Sequence, residues 1–217
     1  MIDVILSELN KKGYFILEDF YTEYELDMIE KEFDRIFDQK KDKVEILVKE
    51  KCSEDERIFH AEKYSPYIKQ NFSDRPLFNN VCREYTKKEF NKKTLINKLL
   101  YEEGKIKNSG AGWHRDNHNC QFKLIMYLSD VTEKNGNFQI LSNSSKRHIG
   151  YPENRDEREG GTRYSDENIK KIIDTRDCEI INIVGKKGTI IVADTTYIHR
   201  GNIILEGERK AITQYFF

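Results

Sequence analysis

The hydrophobic pattern of this chain changes its period once, near Leu95, and that change restricts the fold more than any other feature. Before it, Leu26, Ile29, Phe33, Ile36 and Phe37 recur at helical spacing. Thr22, with Glu25 three residues later, opens that stripe as a capping box. A second helix is expected over Leu77–Phe90, after the turn signal Ser73-Asp74-Arg75-Pro76. Gly13 to Phe20 is apolar and strand-like, and Asp42–Asn71 follows neither period. After Leu95 the apolar runs shorten, β-branched and aromatic residues dominate, and Gly or Asn punctuates them. Strands are expected at Leu99–Lys107, Gln121–Leu128, Asn137–Leu141, Glu179–Val184, Thr189–Ala193, Tyr197–Leu205 and Lys210–Phe217. So many short strands fit a sandwich, jelly roll or barrel. Helices first and strands afterwards make the class α+β. Residues 1–217 are read as one domain, with 1–94 mainly helical and 95–217 forming the β core.

At 217 residues the chain can bury one substantial core without staples. The four cysteines (Cys52, Cys82, Cys120, Cys178) form no CxxC pair, which gives no support to a zinc ribbon or a dithiol redox site. Lys plus Arg total 37 against 38 Asp plus Glu, so no electrostatic footprint for nucleic acid or an anionic membrane is expected. No run approaches the ~18 apolar residues of a membrane span. The N-terminus lacks the basic start and long apolar run of a secretory signal. A cytoplasmic protein acting on a small molecule is the expectation that results.

Tyr151–Asp177 stands apart from the strands. It is highly charged, contains Gly160-Gly161, and carries Arg155, Arg158 and Arg163. It is longer than an ordinary connection. Two readings are open: a solvated insertion with a short helix at Asp166–Ile173, or a lid over a pocket. The arginines hint at a polar or anionic substrate.

The five histidines narrow the chemistry. His114 and Asp116 are two apart, so on an extended segment they point to one face and can reach one metal ion. His199, beyond the apolar run Thr189–Ala193, is the best third ligand. Two histidines and a carboxylate on one face form the usual ligand set of non-haem Fe(II) oxygenases. Alone, His-x-Asp is weak evidence, since such tripeptides are mostly polar turns. Arg209, ten residues after His199 at the start of the last strand, strengthens it. A guanidinium there can grip a carboxylate with two parallel hydrogen bonds, as the distal end of 2-oxoglutarate requires. His118 and His148 are read as spectators, with a substrate contact open to His118, and Trp113 as packing beside the site. His60 lies in the stretch that cannot be oriented.

At this point the chain resembles the phytanoyl-CoA dioxygenase (PhyH-like) family. The residues that carry the resemblance begin with Trp113-His114-Arg115-Asp116-Asn117 and Phe122-Lys123 through Val131. Asn135-Gly136-Asn137-Phe138 and Ser142 through His148 follow, then Gly188 through Asp194, His199-Arg200-Gly201 and Arg209. Gly13 through Phe20 and its helix resemble the family's opening. The resemblance implies a double-stranded β-helix (a cupin-like jelly roll) flanked by N-terminal helices. It implies His114, Asp116 and His199 as iron ligands, Arg209 as the 2-oxoglutarate anchor, and a reaction that consumes O2 and releases succinate and CO2. Relatives that halogenate lack the carboxylate that Asp116 provides, so its presence favours hydroxylation. Asn137 departs from the family's usual proline, Ser142-Asn143-Ser144 from Gly-Ser-His, and Gly201 from a serine that helps bind the co-substrate. Lys123 and Tyr127 share one strand face and are further candidates for holding it. The rival readings are a silent metal- or ligand-binding jelly roll and a cupin-type metalloenzyme without 2-oxoglutarate.

Overall fold

The computed structural model describes residues 1–40, 42, 45–46, 54–104, 112–116, 122–145, 149 and 162–217. Five helices and twelve strands follow in order: α1 (Ile2–Lys12), β1 (Tyr14–Leu17), α2 (Glu23–Gln39), β2 (Glu45–Ile46), β3 (Glu54–Phe59), α3 (Pro66–Ile68), α4 (Pro76–Thr86), β4 (Lys92–Leu100), β5 (Trp113–His114), β6 (Phe122–Tyr127), β7 (Phe138–Leu141), β8 (Arg163–Tyr164), α5 (Asp166–Thr175), β9 (Ile180–Ile183), β10 (Ile190–Asp194), β11 (His199–Gly201) and β12 (Glu208–Phe216). They build a seven-stranded sheet, β1-β10-β6-β12-β4-β3-β2, and a five-stranded sheet, β8-β5-β11-β7-β9. Pairing is antiparallel throughout the described ladders.

Strict alternation along the large sheet sorts its side chains onto two faces. Ile96, Leu124, Met126, Ile190, Val192 and Ile212 enter one cluster with Ile5 and Leu9 of α1, Ile29 and Phe33 of α2, and Val81 of α4. Tyr127, Ile191, Ala193 and Ala211 face the other way and meet Phe138, Ile140 and Ile183 of the small sheet. A third cluster, Trp113, Leu141, Tyr164, Ile169, Cys178 and Ile198, places α5 on the outer face of the small sheet. The site therefore lies between the sheets, with helices on both outer faces.

The helix ends follow local chemistry. Thr22 and Glu25 form the expected capping box at α2, and Ser165 caps α5 in the same way through Asn168. Lys187 bridges to Asp27 and Glu30, and Lys210 to Asp34 and Glu30, tying α2 across the large sheet. Gly13 closes α1 at φ 81, where a Cβ would meet the Tyr197 ring at 2.5 Å.

Several boundaries depart from the sequence expectation. The helix expected to reach Phe90 stops at Thr86, because Lys87 turns left-handed. The strand expected at Leu99–Lys107 is instead Lys92–Leu100, paired residue for residue with β12. Tyr197–Leu205 contains only His199–Gly201 as strand, since Tyr197 is a bend that continues the turn at Thr195 and Thr196. The stretch without a period contains β3, which joins the large sheet beside β4. The part expected to be mainly helical thus also contributes β1, β2, β3 and the start of β4. Of Tyr151–Asp177, residues 151–161 are outside the described residues, as are Cys52, Cys120, His118, His148, Arg155 and Arg158. The remainder forms β8 and α5, packed on the small sheet.

Ile212 is fully buried between β12 and the helices. Ile212→Ala is expected to cost about 2–5 kcal/mol of unfolding free energy in urea titrations. Its side chain faces away from the cavity, so metal binding by the folded variant should be unchanged.

Candidate metal centre

The short strand β5 and the residues after it alternate like the large sheet. His114 and Asp116 turn inward, while Trp113 and Arg115 turn outward. Arg115 is buried, donating from Nε to the Tyr164 hydroxyl (2.9 Å) and from its terminal nitrogens to the carbonyls of Thr196 and Ile149. This clamp fixes the segment from the side opposite the site. Trp113 lies with it in the outer cluster, stacked under the Arg200 guanidinium at 4.4 Å, and so does not pack beside the site as the sequence led us to expect.

His199 of β11 pairs directly with His114 across the small sheet, bringing the two rings to 4.5 Å between centroids. Each ring is oriented by a backbone carbonyl: His114 Nδ1 lies 2.7 Å from Gly112 O, and His199 Nδ1 lies 2.9 Å from Tyr197 O. A carbonyl can only accept, so these bonds place each proton on Nδ1 and leave each Nε2 lone pair facing the cavity. Asp116 Oδ1 stands 3.5 Å from His114 Nε2 and 3.6 Å from His199 Nε2. His199 Nε2 is buried with no hydrogen-bond partner. Burial, only partly offset by the Asp116 charge, pushes His199 down to about 4, so the ring is neutral near pH 7. One ligand atom from each residue lies within 4.8 Å of the others, and the three could hold a metal ion.

Lys123 faces the same space from β6. Its Nζ lies 2.6 Å from Asp116 Oδ2 and 4.8 Å from the centre of the Tyr215 ring. The approach is that of a close, buried ion pair. Burial opposes the charge on Asp116, yet Lys123 and then His199 outweigh it and hold the carboxyl well below the usual range. Burial likewise opposes the Lys123 ammonium, and Asp116 outweighs that, raising its pKa.

A cavity of about 240 Å³ opens from this cluster along the inner face of the large sheet, with Arg209 among its lining residues. Arg209 is buried, and burial presses its pKa down. Its terminal nitrogens donate to Gly136 O and to Asn97 Oδ1 (3.0 Å), while Nε has no partner. Both acceptors are neutral, so no carboxylate among the described residues forms an ion pair with this guanidinium. Gly136 presents its carbonyl from φ 72, and a Cβ there would meet Leu99 at 2.9 Å. Asn97 is oriented in turn by Asp55 (2.5 Å). Tyr127 also lines the cavity, but its hydroxyl is committed, donating to Ile183 O and accepting from Phe138 N, both at 2.9 Å. It braces the two sheets, and burial pushes it up to about 12. Gly201 lines the cavity as well, and Thr213 faces the same space with a hydroxyl.

Sequence reasoning missed Asn97, Arg57, Thr213 and Tyr215 as lining residues. The signal was present in alternation from Arg209, which brings Thr213 and Tyr215 to its face, but the β4 and β3 partners require the register. His60, from the stretch that could not be oriented, is not among the lining residues and pairs with Glu62 at 3.0 Å. Ser144 staples the small sheet, donating to Leu141 O and accepting from Ile198 N.

A family model described as Phytanoyl-CoA dioxygenase (PhyH) matches residues 9–203. The chain belongs to this family. His114, Asp116 and His199 fall within the match, and Arg209 lies beyond it. No curated protein matches the sequence. Among solved structures, the epimerase SnoN in complex with Fe3+, alpha ketoglutarate and nogalamycin RO is 10% identical, with a TM-score of 0.78 over 100% of this chain and 83% of that one. EctD from S. alaskensis with bound Fe is 18% identical, with a TM-score of 0.72 over 97% and 74%. HygX from Streptomyces hygroscopicus with nickel, 2-oxoglutarate and hygromycin B is 13% identical, with a TM-score of 0.68 over 98% and 86%. These likenesses establish the double-stranded β-helix fold of this PhyH-family chain. Among its described residues no helix is long and apolar enough to cross a membrane.

The Asp116–Lys123 pair gives a test of the metal-free protein. Lys123→Met leaves a buried carboxylate without its cation, an expected loss of about 3–5 kcal/mol in urea unfolding at pH 7. In the wild type Asp116 is depressed, so its stabilisation is present above the unfolded carboxyl range and is lost as pH falls through the folded pKa. Without Lys123 the burial of Asp116 is no longer outweighed by its cation and pushes its carboxyl upward. The difference between variant and wild type should therefore narrow as pH falls through the variant's folded Asp116 pKa. No difference at pH 7 would show that the pair carries no such stabilisation.

Proposed function

We propose that this chain acts as a single-domain Fe(II)- and 2-oxoglutarate-dependent dioxygenase that hydroxylates a small-molecule substrate. The observation that carries this reading is one cavity lined both by two histidines with a carboxylate and by a buried arginine without a carboxylate partner among the described residues. The donor set fits iron: mixed nitrogen and oxygen ligands on one face suit a non-haem Fe(II) site, and no cysteine is involved. When bound, iron and 2-oxoglutarate couple decarboxylation of the co-substrate to oxidation of the second substrate by O2, releasing succinate and CO2.

The roles of the side chains follow from their placement. His114 and His199 offer Nε2, and their carbonyl-held Nδ1 protons fix each ring's orientation. Asp116 offers Oδ1, while Lys123 holds Oδ2 and keeps the carboxylate ionised. Arg209 takes the distal carboxylate of 2-oxoglutarate through Nε and an adjacent terminal nitrogen. Asn97 and Gly136 orient that fork, since their neutral oxygens align it without cancelling its charge. Lys123 and Tyr127 serve the co-substrate indirectly, the first through Asp116 and the second by setting the spacing of the sheets. Leu95, Ile125 and Phe138 supply apolar walls that keep water from the reacting atoms. Support for these cofactors comes from the fold neighbours that carry iron, nickel or 2-oxoglutarate. Asp116 fills the third protein ligand position, which favours hydroxylation, although an epimerase and a carbocyclase share the fold.

Anaerobic titration of Fe(II)-loaded protein with 2-oxoglutarate, followed by the visible metal-to-ligand charge-transfer band, tests the reading. The band should form in the wild type and be lost in His199→Ala. Arg209→Ala should need about 10–100 times more 2-oxoglutarate, the loss of one charge-assisted pair. Unchanged half-saturation in Arg209→Ala would remove the anchor. Absence of the band in folded, iron-loaded wild type would sink the co-substrate assignment and leave a metal-binding jelly roll of another kind.

A further inference from the structure

Three side chains with hydroxyls line the cavity among the described residues: Tyr127, Thr213 and Tyr215. The Tyr127 hydroxyl is engaged by Ile183 O and Phe138 N. Tyr215 is half-buried, with Lys123 at 4.8 Å and Lys93 at 5.4 Å from its ring centre. Thr213 differs from both. It is only 8% exposed, and its hydroxyl makes no hydrogen bond to any described residue.

The ladder sets Thr213 between Leu95 of β4 and Ile125 of β6, both apolar and both lining the cavity. A valine would fill that place with nearly the same shape, whereas a buried hydroxyl without a partner is destabilising. The hydroxyl therefore points to a ligand. On the same face of β12, Arg209 lies four residues away, ~13 Å along the strand. Ala211 between them is small and leaves the face open. In the other direction the next row is Tyr215 opposite Lys123, whose ammonium holds Asp116. Thr213 thus stands on the cavity wall between the co-substrate anchor and the metal-ligand cluster.

We propose that the Thr213 hydroxyl donates a hydrogen bond to the keto-acid end of 2-oxoglutarate. This rests on the dioxygenase reading above and deepens it by adding a second contact to the co-substrate. A threonine hydroxyl can donate to a carboxylate or keto oxygen. Between two apolar neighbours that bond is stronger than it would be in water. Arg209 then holds one end of the diacid and Thr213 the other, so one strand fixes both its position and its orientation. Gly201, which lines the cavity from β11, has no side chain to offer. The large sheet supplies the hydroxyl that the small sheet lacks at that position.

The test is the anaerobic titration of iron-loaded protein with 2-oxoglutarate, read by the half-saturating concentration and by the position of the charge-transfer band. Thr213→Val keeps the shape and removes the hydroxyl. Its half-saturating concentration should rise about tenfold, the loss of one hydrogen bond to a charged acceptor. Its band should also move to higher energy, because a hydrogen bond stabilises the keto acid that receives the electron. Thr213→Ser should return both readouts close to wild type. Arg209→Ala supplies the contrast: weaker binding with the band unmoved, since the distal carboxylate is remote from iron. Fe(II) affinity without co-substrate should stay within about twofold in both Thr213 variants, which also reports that they fold. Wild-type half-saturation and band position in Thr213→Val would overturn the proposal and leave the dioxygenase reading standing. Weaker binding with an unmoved band would do the same, because the hydroxyl would then serve packing or the distal carboxylate. So would a Thr213→Ser variant as impaired as the valine one. Failure of the band to form in wild type removes the dioxygenase reading first, and the inference with it.

Discussion

The structure depends on β12 being paired along its whole length with β4 and over most of it with β6. Every residue from Glu208 to Phe216 is matched to β4, and Ala211 to Phe216 are matched to β6. With both neighbours fixed, no residue of the strand can slip without turning the apolar helix-facing set into the cavity. Ile212 and Phe216 point to the helices, while Arg209, Ala211, Thr213 and Tyr215 point to the site. The core that stabilises the protein and the cavity that gives it chemistry are two faces of one ladder.

The candidate metal centre is assembled on the small sheet, where the strands are only two to four residues long. Such strands contribute few ladder bonds, and side chains compensate. Arg115 clamps the outer side of the His114–Asp116 segment to three separate partners. Ser144 ties β7 to the turn before His199, and Tyr127 spans the gap between the sheets. The ligand geometry is thus held from outside by a buried arginine and from across the cavity by a tyrosine. Lys123, buried beside Asp116, makes an ionised carboxylate affordable in a site that burial would otherwise neutralise.

Much of the site was legible along the chain. His114 and Asp116 share a face because residues two apart on an extended segment must do so. His199 and Arg209 were legible as the close of one strand and the opening of the next. Lys123 and Tyr127 were placed on the cavity face by the same alternation, but what they touch was not visible: one meets a carboxylate, the other two backbone groups. Asn97 and Arg57 carried no local sign, because their relation to Arg209 exists only through pairing across β3, β4 and β12. Trp113 was misplaced because nearness in sequence to His114 does not mean nearness in space when the next residue faces the other way.

By itself, the sequence determined the class, the change from helix to strand, the helix start at Thr22, and the identities of the candidate ligands and anchor. These depend on periodicity, capping and two-residue spacing, which are local. Tertiary structure alone decided that β3 joins the sheet beside β4, that α5 packs on the outer face of the small sheet, and that four cations and one carboxylate among the described residues line one cavity. The reason is physical: a strand's partner and the charge opposite a side chain are set by ladder register between distant parts of the chain, as between Tyr14 and Ala193, and one sequence read in order contains no term for that.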